Sequence, residues 1–277
     1  YLLATNFYRT VNKGKTFNEM PTRPTYDVGV HSDHHTLWIN PTNSKHFYLA
    51  GDAGLHETWD YGKSYNRLNN IPIGQFYGIG VDMDIPYNIY GGMQDNHSWV
   101  GPSATRHWLG ILSDDWRQIG FGDGMYQQPA PNSSILYNAT QNGNIVRVDR
   151  KTGNIQGIKP FSTDPNDKNR YDWVTPILLS KQSPNRVYLG GNRLFISNNG
   201  GESWSKTKDL TKAINRDSLA IMGVLGVDTK ISRNDGTSSY GEIISMDESP
   251  LWFKVLWVGT DDGNVQVSKD GLSLIHI

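Results

Sequence analysis

The sequence contains no cysteine. That excludes disulfides and thiolate metal sites, and it leaves the compartment open. Long hydrophobic runs are missing too: no apolar stretch approaches the roughly 18 residues of a membrane span. Charge is scarce and balanced, 26 Lys and Arg against 27 Asp and Glu for a net charge of −1. No global field therefore favours nucleic acid or an anionic membrane, and neither is an expected partner. No methionine or signal peptide precedes Tyr1, so the chain reads as a fragment whose targeting information has been removed.

Glycine and aromatic rings are abundant instead, with 29 Gly, 9 Trp and 14 Tyr in 277 residues. That profile suits short strands joined by tight turns, with many aromatic anchors. The length is large for one domain unless the fold is all-β or repetitive.

One pattern recurs: a turn with Pro or Asn, an apolar strand, a Gly/Asp/Asn turn, and a second alternating strand. It reads "NPTNSKHFYLAGDAGLHET", "DIPYNIYGGMQDNHSW", "APNSSILYNATQNGNIVRV", "QSPNRVYLGGNRLFIS" and "ESPLWFKVLWVGTDDGNVQVS", with a headless copy, "YLLATNFYRT", at the start. The central turns near Asn6, Ala53, Asp95, Asn142, Asn192 and Asp262 stand about 47, 42, 47, 50 and 70 residues apart. Four-stranded propeller blades repeat every ~40–50 residues. The long last step carries an insertion, about residues 206–238, with a weakly helical stretch at "DLTKAINRDSLAIMG".

A second signature follows the second strand of several repeats. "TVNKGKTF" supplies Thr10, Asn12, Gly14 and Phe17, "TWDYGKSY" supplies Thr58, Asp60, Gly62 and Tyr65, and "SNNGGESW" supplies Ser197, Asn199, Gly201 and Trp204. The Asp or Asn side chain is expected to fold back on the amides of its own hairpin, with Gly at a φ > 0 position and the aromatic between adjacent sheets. A structural role is expected for these residues, and no catalysis. A fourth copy starts at Ser268, Asp270 and Gly271 but runs into "LSLIHI", so the last strand of that repeat reads as missing and residues 272–277 as a truncation artefact or foreign tail.

These octapeptides resemble the Asp-box, or BNR repeat. "VHSDHHTLWINP", "GDAGLHETWDYGKSY", "QFYGIGVDMDIPYNIYGGMQDNHSW" and "SRNDGTSSYGEIISMDESP" look like the BNR/sortilin-type propellers of large, often secreted bacterial proteins, frequently labelled glycosyl hydrolase or sortilin-like. The resemblance covers nearly the whole chain up to Gly271. It implies an all-β fold, a β-propeller of four-stranded blades, about six in this fragment, with the first and last incomplete. The blades fall near 1–20, 28–68, 75–118, 122–160, 172–208 and 239–271. It also implies a secreted or periplasmic protein.

Blade geometry then ranks the candidate functional residues. The approach to the innermost strand, A, and the turn between strands B and C share one face, and the boxes fall on the other. "HSDHH" approaches strand A of the second blade, and alternation would put His31, Asp33 and His35 on one side and His34 on the other. Asp52, Gln94, Asp95, Asn96, Asp123, Tyr77, Trp173, Arg233 and Asp235 map to the same face. Asp33, Asp52, Asp95 and Asp123 are the candidate carboxylates for acid–base work, with the pair unresolved. His31, His34, His35, Tyr77, Gln94, Asn96, Trp173, Arg233 and Asp235 are the candidate ligand contacts, with Tyr77 and Trp173 as stacking platforms. The histidine cluster has three readings: a ligand rim, structural capping or a divalent metal site. No cofactor is required by the sequence.

Two functions remain open. One is a glycan-directed protein acting on or binding polysaccharide, a glycoside hydrolase if it is an enzyme. The other is a sortilin-like scaffold that grips a peptide or protein in its channel. A sialidase is disfavoured, because only Arg170 and Arg233 map to the working face and no Arg-Ile-Pro element is present.

Overall fold

The computed structural model describes residues 1–20, 29–68, 70–71, 73–229, 239–271 and 274–276, the last three by backbone alone. They form two compact units, Tyr1–Gly74 and Gln75–Ile277. The smaller holds a three-stranded sheet, Leu2–Leu3, Phe7–Arg9 and Asn18–Glu19. Its second sheet runs A to D as His34–Ile39, Phe47–Gly51, Gly54–Thr58 and Asn66–Leu68.

The larger unit holds four such sheets. The third is Phe76–Val81, Asn88–Met93, Ser98–Pro102 and Arg117–Gly120. The fourth is Gly124–Pro129, Ile135–Thr140, Asn144–Asp149 and Ile155–Gly157. The fifth is Ile177–Leu179, Val187–Gly190, Leu194–Ser197 and Ser205–Lys206. The sixth is Ile243–Glu248, Leu256–Thr260, Val265–Ser268 and Leu274–His276. All are antiparallel meanders in chain order.

Two expectations need correction. The sixth sheet does not lack its last strand, because the backbone of 274–276 pairs with strand C, Ser268 opposite Leu274 and Gln266 opposite His276. Pairing needs only N–H and C=O groups in register, so loss of the box consensus does not prevent it. The weakly helical stretch, 209–223, holds one 3₁₀ turn, Arg216–Ser218, and the first strand of a hairpin, Ala220–Ile221, which pairs with Val224–Leu225 just beyond it and is followed by a second 3₁₀ turn, Gly226–Asp228. Met222 and Gly223 carry φ of 50° and 84°, the paired positive values of a type I′ turn, and that turn overrides the helical spacing.

Period-2 alternation builds the core. On strand B of the fifth sheet Val187 and Leu189 pack with Tyr137, Ile145 and Ile158 of the fourth. Tyr188, between them, packs the other way with Ile243, Leu256 and Val258 of the sixth. Both faces of this sheet are therefore dry, which is why "RVYLGG" is apolar at nearly every position. Tyr90, Val100 and Leu136 join the third sheet to the fourth. In the smaller unit Phe7, Met20, Val30, Phe47 and Leu49 join its two sheets. Gly80 and Gly92 mark close approaches of the third sheet to the fourth, since a Cβ there would run into Gln127 O and Met125 O.

The box residues close the C–D turns. Thr58 Oγ1 donates to Asp60 Oδ1 at 2.9 Å and accepts from Gly62 N at 2.9 Å, while Asp60 also accepts from Lys63 N and Ser64 N, each at 2.9 Å. Thr10, Asn12 and Gly14 repeat the arrangement, with Gly14 N to Thr10 Oγ1 at 2.9 Å and Thr16 N to Asn12 Oδ1 at 2.9 Å. Ser197, Asn199 and Gly201 do so with 2.8 Å and 3.0 Å. The glycines sit at φ 85°, 78° and 93°. Tyr65 packs into the core between the first two sheets, and Trp204 packs on that between the fourth and fifth, its Nε1 donating to Ile158 O at 2.8 Å. Phe17 departs from the expectation and lies 44% exposed.

Hydrogen bonds from Ser64 and Thr58 hold the Asp60 carboxyl down to about 2. Asp60→Ala removes these local bonds. It should lower stability by ~0.5–2 kcal/mol in urea titration, with ligand affinity unchanged. Lost affinity at unchanged melting temperature would contradict the structural role.

Candidate functional site

In the second sheet the approach to strand A and the B–C turn share one end. Asp52 N donates to Asp33 O at 3.3 Å, and His34 pairs with Gly51. Thr58 of the box pairs with Phe47 at the far end. Strand A begins only at His34, and a bulge separates His34 from Thr36. His34 and His35 still point to opposite sides, as alternation puts them, and the bulge shifts the register only after them.

Asp33 sits at φ 67°, a left-handed position that Asp tolerates better than most residues. Its carboxylate accepts Ser32 Oγ at 2.8 Å, and His31 Nδ1 stands 3.0 Å from Ser32 O. His35 is solvent-facing, with Nε2 2.6 Å from Asp52 Oδ1. His34 turns inward instead, edge-on to Phe7 at 6.0 Å and buried, so it cannot serve as a ligand contact on the rim. Neither of its ring nitrogens has a hydrogen-bond partner among the described residues, and burial lowers its pKa while Asp33 opposes. His56, buried on strand C, is lowered to about 4 by burial first, then by Arg67 and His34.

In the larger unit the corresponding end gathers two groups. Asp123 Oδ1 accepts Asp95 N at 2.6 Å and its Oδ2 accepts Gln141 Nε2 at 3.2 Å. Both oxygens of this buried carboxylate thus tie turns together, which leaves it poorly placed for proton transfer. Asn96 Nδ2 donates to Gln94 O at 3.0 Å, and Gln94 N to Gln75 O at 3.1 Å. Beside this rim Trp173 Nε1 donates to Tyr77 OH at 3.2 Å. That bond joins the strand-A approaches of the third and fifth sheets, and Trp173 remains 36% exposed. Its carbonyl accepts Asn142 N at 3.1 Å from the B–C turn of the fourth sheet. Arg233 and Asp235 lie outside the described residues.

The second group was not foreseen. Glu242 precedes strand A of the sixth sheet, with its side chain 0% exposed. Arg170 Nε stands 3.7 Å from Glu242 Oε1, and its Nη2 donates to Gly241 O at 3.1 Å, Thr211 Oγ1 at 3.3 Å and Asp209 Oδ2 at 3.4 Å. Burial raises Glu242 to about 7, with the charges of Asp261 and Asp172 adding to the rise and Arg170 opposing it. Asp209 is ionised: burial raises it, but hydrogen bonds from Thr211 and Asn192 together with Arg170 outweigh that and hold it low. Asp261 is spent on the backbone, accepting Glu242 N at 2.8 Å and Gly241 N at 3.3 Å.

A signal for Glu242 existed in the sequence. Asp33, Asp123 and Glu242 each stand immediately before strand A of their sheet. Counting the last repeat from "SRND" rather than from "IISM" hid the third member.

A carboxyl that keeps its proton near neutral pH beside one that does not is the split used in acid–base hydrolysis. Full burial keeps Glu242 from touching a substrate in this conformation. Among the described residues no group of three or more His, Asp, Glu or Cys side chains is placed to hold a metal ion. No described helix is long and apolar enough to cross a membrane.

No known family's sequence profile matches the chain, and no curated protein matches it by sequence. Solved structures do resemble it. An ancestral GH74 enzyme matches with TM-score 0.51 at 14% identity, over 93% of this chain and 32% of that one. The GH74 xyloglucanase of Xanthomonas campestris matches with TM-score 0.44 at 14% identity, over 95% of this chain and 40% of that one. YCF48 bound to D1 peptide matches with TM-score 0.41 at 14% identity, over 91% of this chain and 68% of that one. The chain thus spans well under half the length of these two GH74 proteins. At such identity the likeness is one of fold: an all-β chain of antiparallel sheets whose solved counterparts are β-propellers.

Proposed function

We propose that the protein is an extracytoplasmic, carbohydrate-binding β-propeller of the BNR type that engages glycan at the strand-A and B–C end of its sheets. The observation that carries this reading is the Trp173–Tyr77 pair, two partly exposed rings joined at 3.2 Å and set among backbone and side-chain amides. A sugar presents C–H faces to such rings and hydroxyls to such amides, and ligand sites combine apolar walls with a few placed polar groups. The fold likeness to GH74 proteins is compatible with this but does not carry it.

A second reading, glycoside hydrolysis, is favoured by the contrast between Glu242, which burial raises to about 7, and Asp209, which hydrogen bonds from Thr211 and Asn192 together with Arg170 hold low. It requires Arg170 to move aside before Glu242 can reach a glycosidic oxygen. A panel of soluble polysaccharides, assayed for both binding and release of reducing ends, separates the readings. Binding without release supports the binding protein. Release that Glu242→Gln abolishes, at retained binding, supports the hydrolase. Binding of peptides alone would support the sortilin-like scaffold and overturn both.

A further inference from the structure

The larger unit has a second surface suited to a polymer, away from the Trp173–Tyr77 pair. Two depressions flank strand D of the fourth sheet, Ile155–Gly157. One, of about 610 Å³, lies beside Phe121 over an aliphatic floor of Ile145, Val148 and Ile155. The other, of about 400 Å³, runs toward Trp204. They share a lip made by Gly157, Lys159 and Phe161. Nothing lies within 4 Å of where a Cβ at Gly157 would stand, so the lip is open there, and the two depressions adjoin along these shared residues as a trench.

Phe121 and Phe161 stand 77% and 82% exposed along it. Phe is ordinarily among the most buried residue types, and neither ring belongs to one of the core clusters. Amides of Gln141, Asn144 and Gln156 line the rim, offering donors and acceptors beside the apolar floor.

The charges decide the class of occupant. Lys159 Nζ donates to Asn142 O at 2.8 Å and to Asn144 Oδ1 at 3.3 Å. Glu202 pairs with Arg147 at 3.3 Å, and Lys206 pairs with Asp167. These are the charged side chains lining the trench; Glu202 and Lys206 are matched by opposite charges, while Lys159 is committed to two neutral oxygens and lies 4.7 Å from the centre of the Tyr171 ring. A cationic ligand would have to draw Glu202 from Arg147, and an anionic one would have to draw Lys159 from Asn142 and Asn144 or Lys206 from Asp167, whereas a neutral chain disturbs none of these contacts.

We propose that this trench is a second glycan-binding surface that takes a neutral, linear polysaccharide chain, with Phe121 and Phe161 stacking on separate sugar rings. The inference rests on the carbohydrate reading above and extends it to a second site, chain length and charge. Two exposed rings lining one depression reward a chain long enough to reach both, so binding should strengthen with polymer length through effective concentration.

Affinity electrophoresis in native gels tests it, with hydroxyethylcellulose and galactomannan as neutral probes and polygalacturonate as the acidic one. The Phe121→Ala/Phe161→Ala variant should lose at least fivefold in association constant for a neutral polymer, at unchanged melting temperature. Trp173→Ala in the same gels should leave that trench-dependent increment in place. Unchanged affinity in the double variant would overturn the trench, while leaving the Trp173 site standing. Retardation by polygalacturonate alone would overturn the neutral occupant. No retardation by any polysaccharide would overturn both sites. Loss in the double variant with none in Trp173→Ala would keep the trench and remove the first site.

Discussion

Glu242→Gln is expected to make the protein more stable at pH 8, by up to ~3 kcal/mol, and to change little at pH 5. The wild-type carboxyl titrates at about 7 in the fold, against an ordinary 4.5. A carboxyl whose folded pKa is raised contributes stability that is complete below the unfolded value and is lost as pH rises through the folded one. Between those two values the native state holds a proton that the unfolded chain has released. Above about 7 the fold carries an ionised, buried carboxylate whose nearest cation stands 3.7 Å away. Glutamine has the same shape and no charge, so the cost at high pH disappears. Urea titrations of both proteins at the two pH values read the difference directly. An equal shift at both pH values, or destabilisation at pH 8, would mean that Arg170 and Glu242 form a favourable ion pair.

The smaller unit should respond to acid in the opposite sense. His56 is lowered to about 4 from 6.5, and His34 is lowered in the same direction. For a base with a depressed folded pKa the stability is complete above the unfolded value and is lost as pH falls toward the folded one. Acidification from pH 7 to pH 4 should therefore cost this unit up to ~3 kcal/mol through His56 alone. The groups that bear on these rings are Arg67, His31, His35 and Asp33, together with His34 acting on His56, and only Asp33 favours protonation. His56→Leu, beside Leu49 in the sheet, keeps the site apolar and removes the titration. Thermal melts should show a much smaller acid-induced drop in the variant. The same drop in both proteins would place the acid sensitivity elsewhere.

Much of the fold was legible because its signals are local. Thr58, Asp60 and Gly62 are two residues apart and close their own turn, so the motif carries its geometry with it. The apolar run at Val187–Gly190 announces a strand dry on both faces. The site was less legible because it depends on where strands start. A period-2 count puts His34 opposite His35, but that its side is the core beside Phe7 depends on how the two sheets pack. Glu242 owes its raised pKa first to burial, with Asp261 and Asp172 adding to the rise and Arg170 opposing it, and all of these come about only through sheet packing. Asp123 looked like a catalytic carboxylate and is a brace between turns. The I′ turn at Met222–Gly223 lay hidden in a stretch with helical spacing.

The most direct test of the carbohydrate reading is a calorimetric titration of a soluble oligosaccharide, taken from a polysaccharide that the protein binds, into wild type and Trp173→Ala. Trp173→Ala leaves Phe121 and Phe161 in place, so the difference between the two proteins reports the Trp173–Tyr77 site. The account predicts saturable binding by wild type and at least a tenfold weaker affinity in the variant, ~1.4 kcal/mol or more, at unchanged melting temperature. Equal affinity in the two proteins, or saturable binding only of peptides, would contradict it.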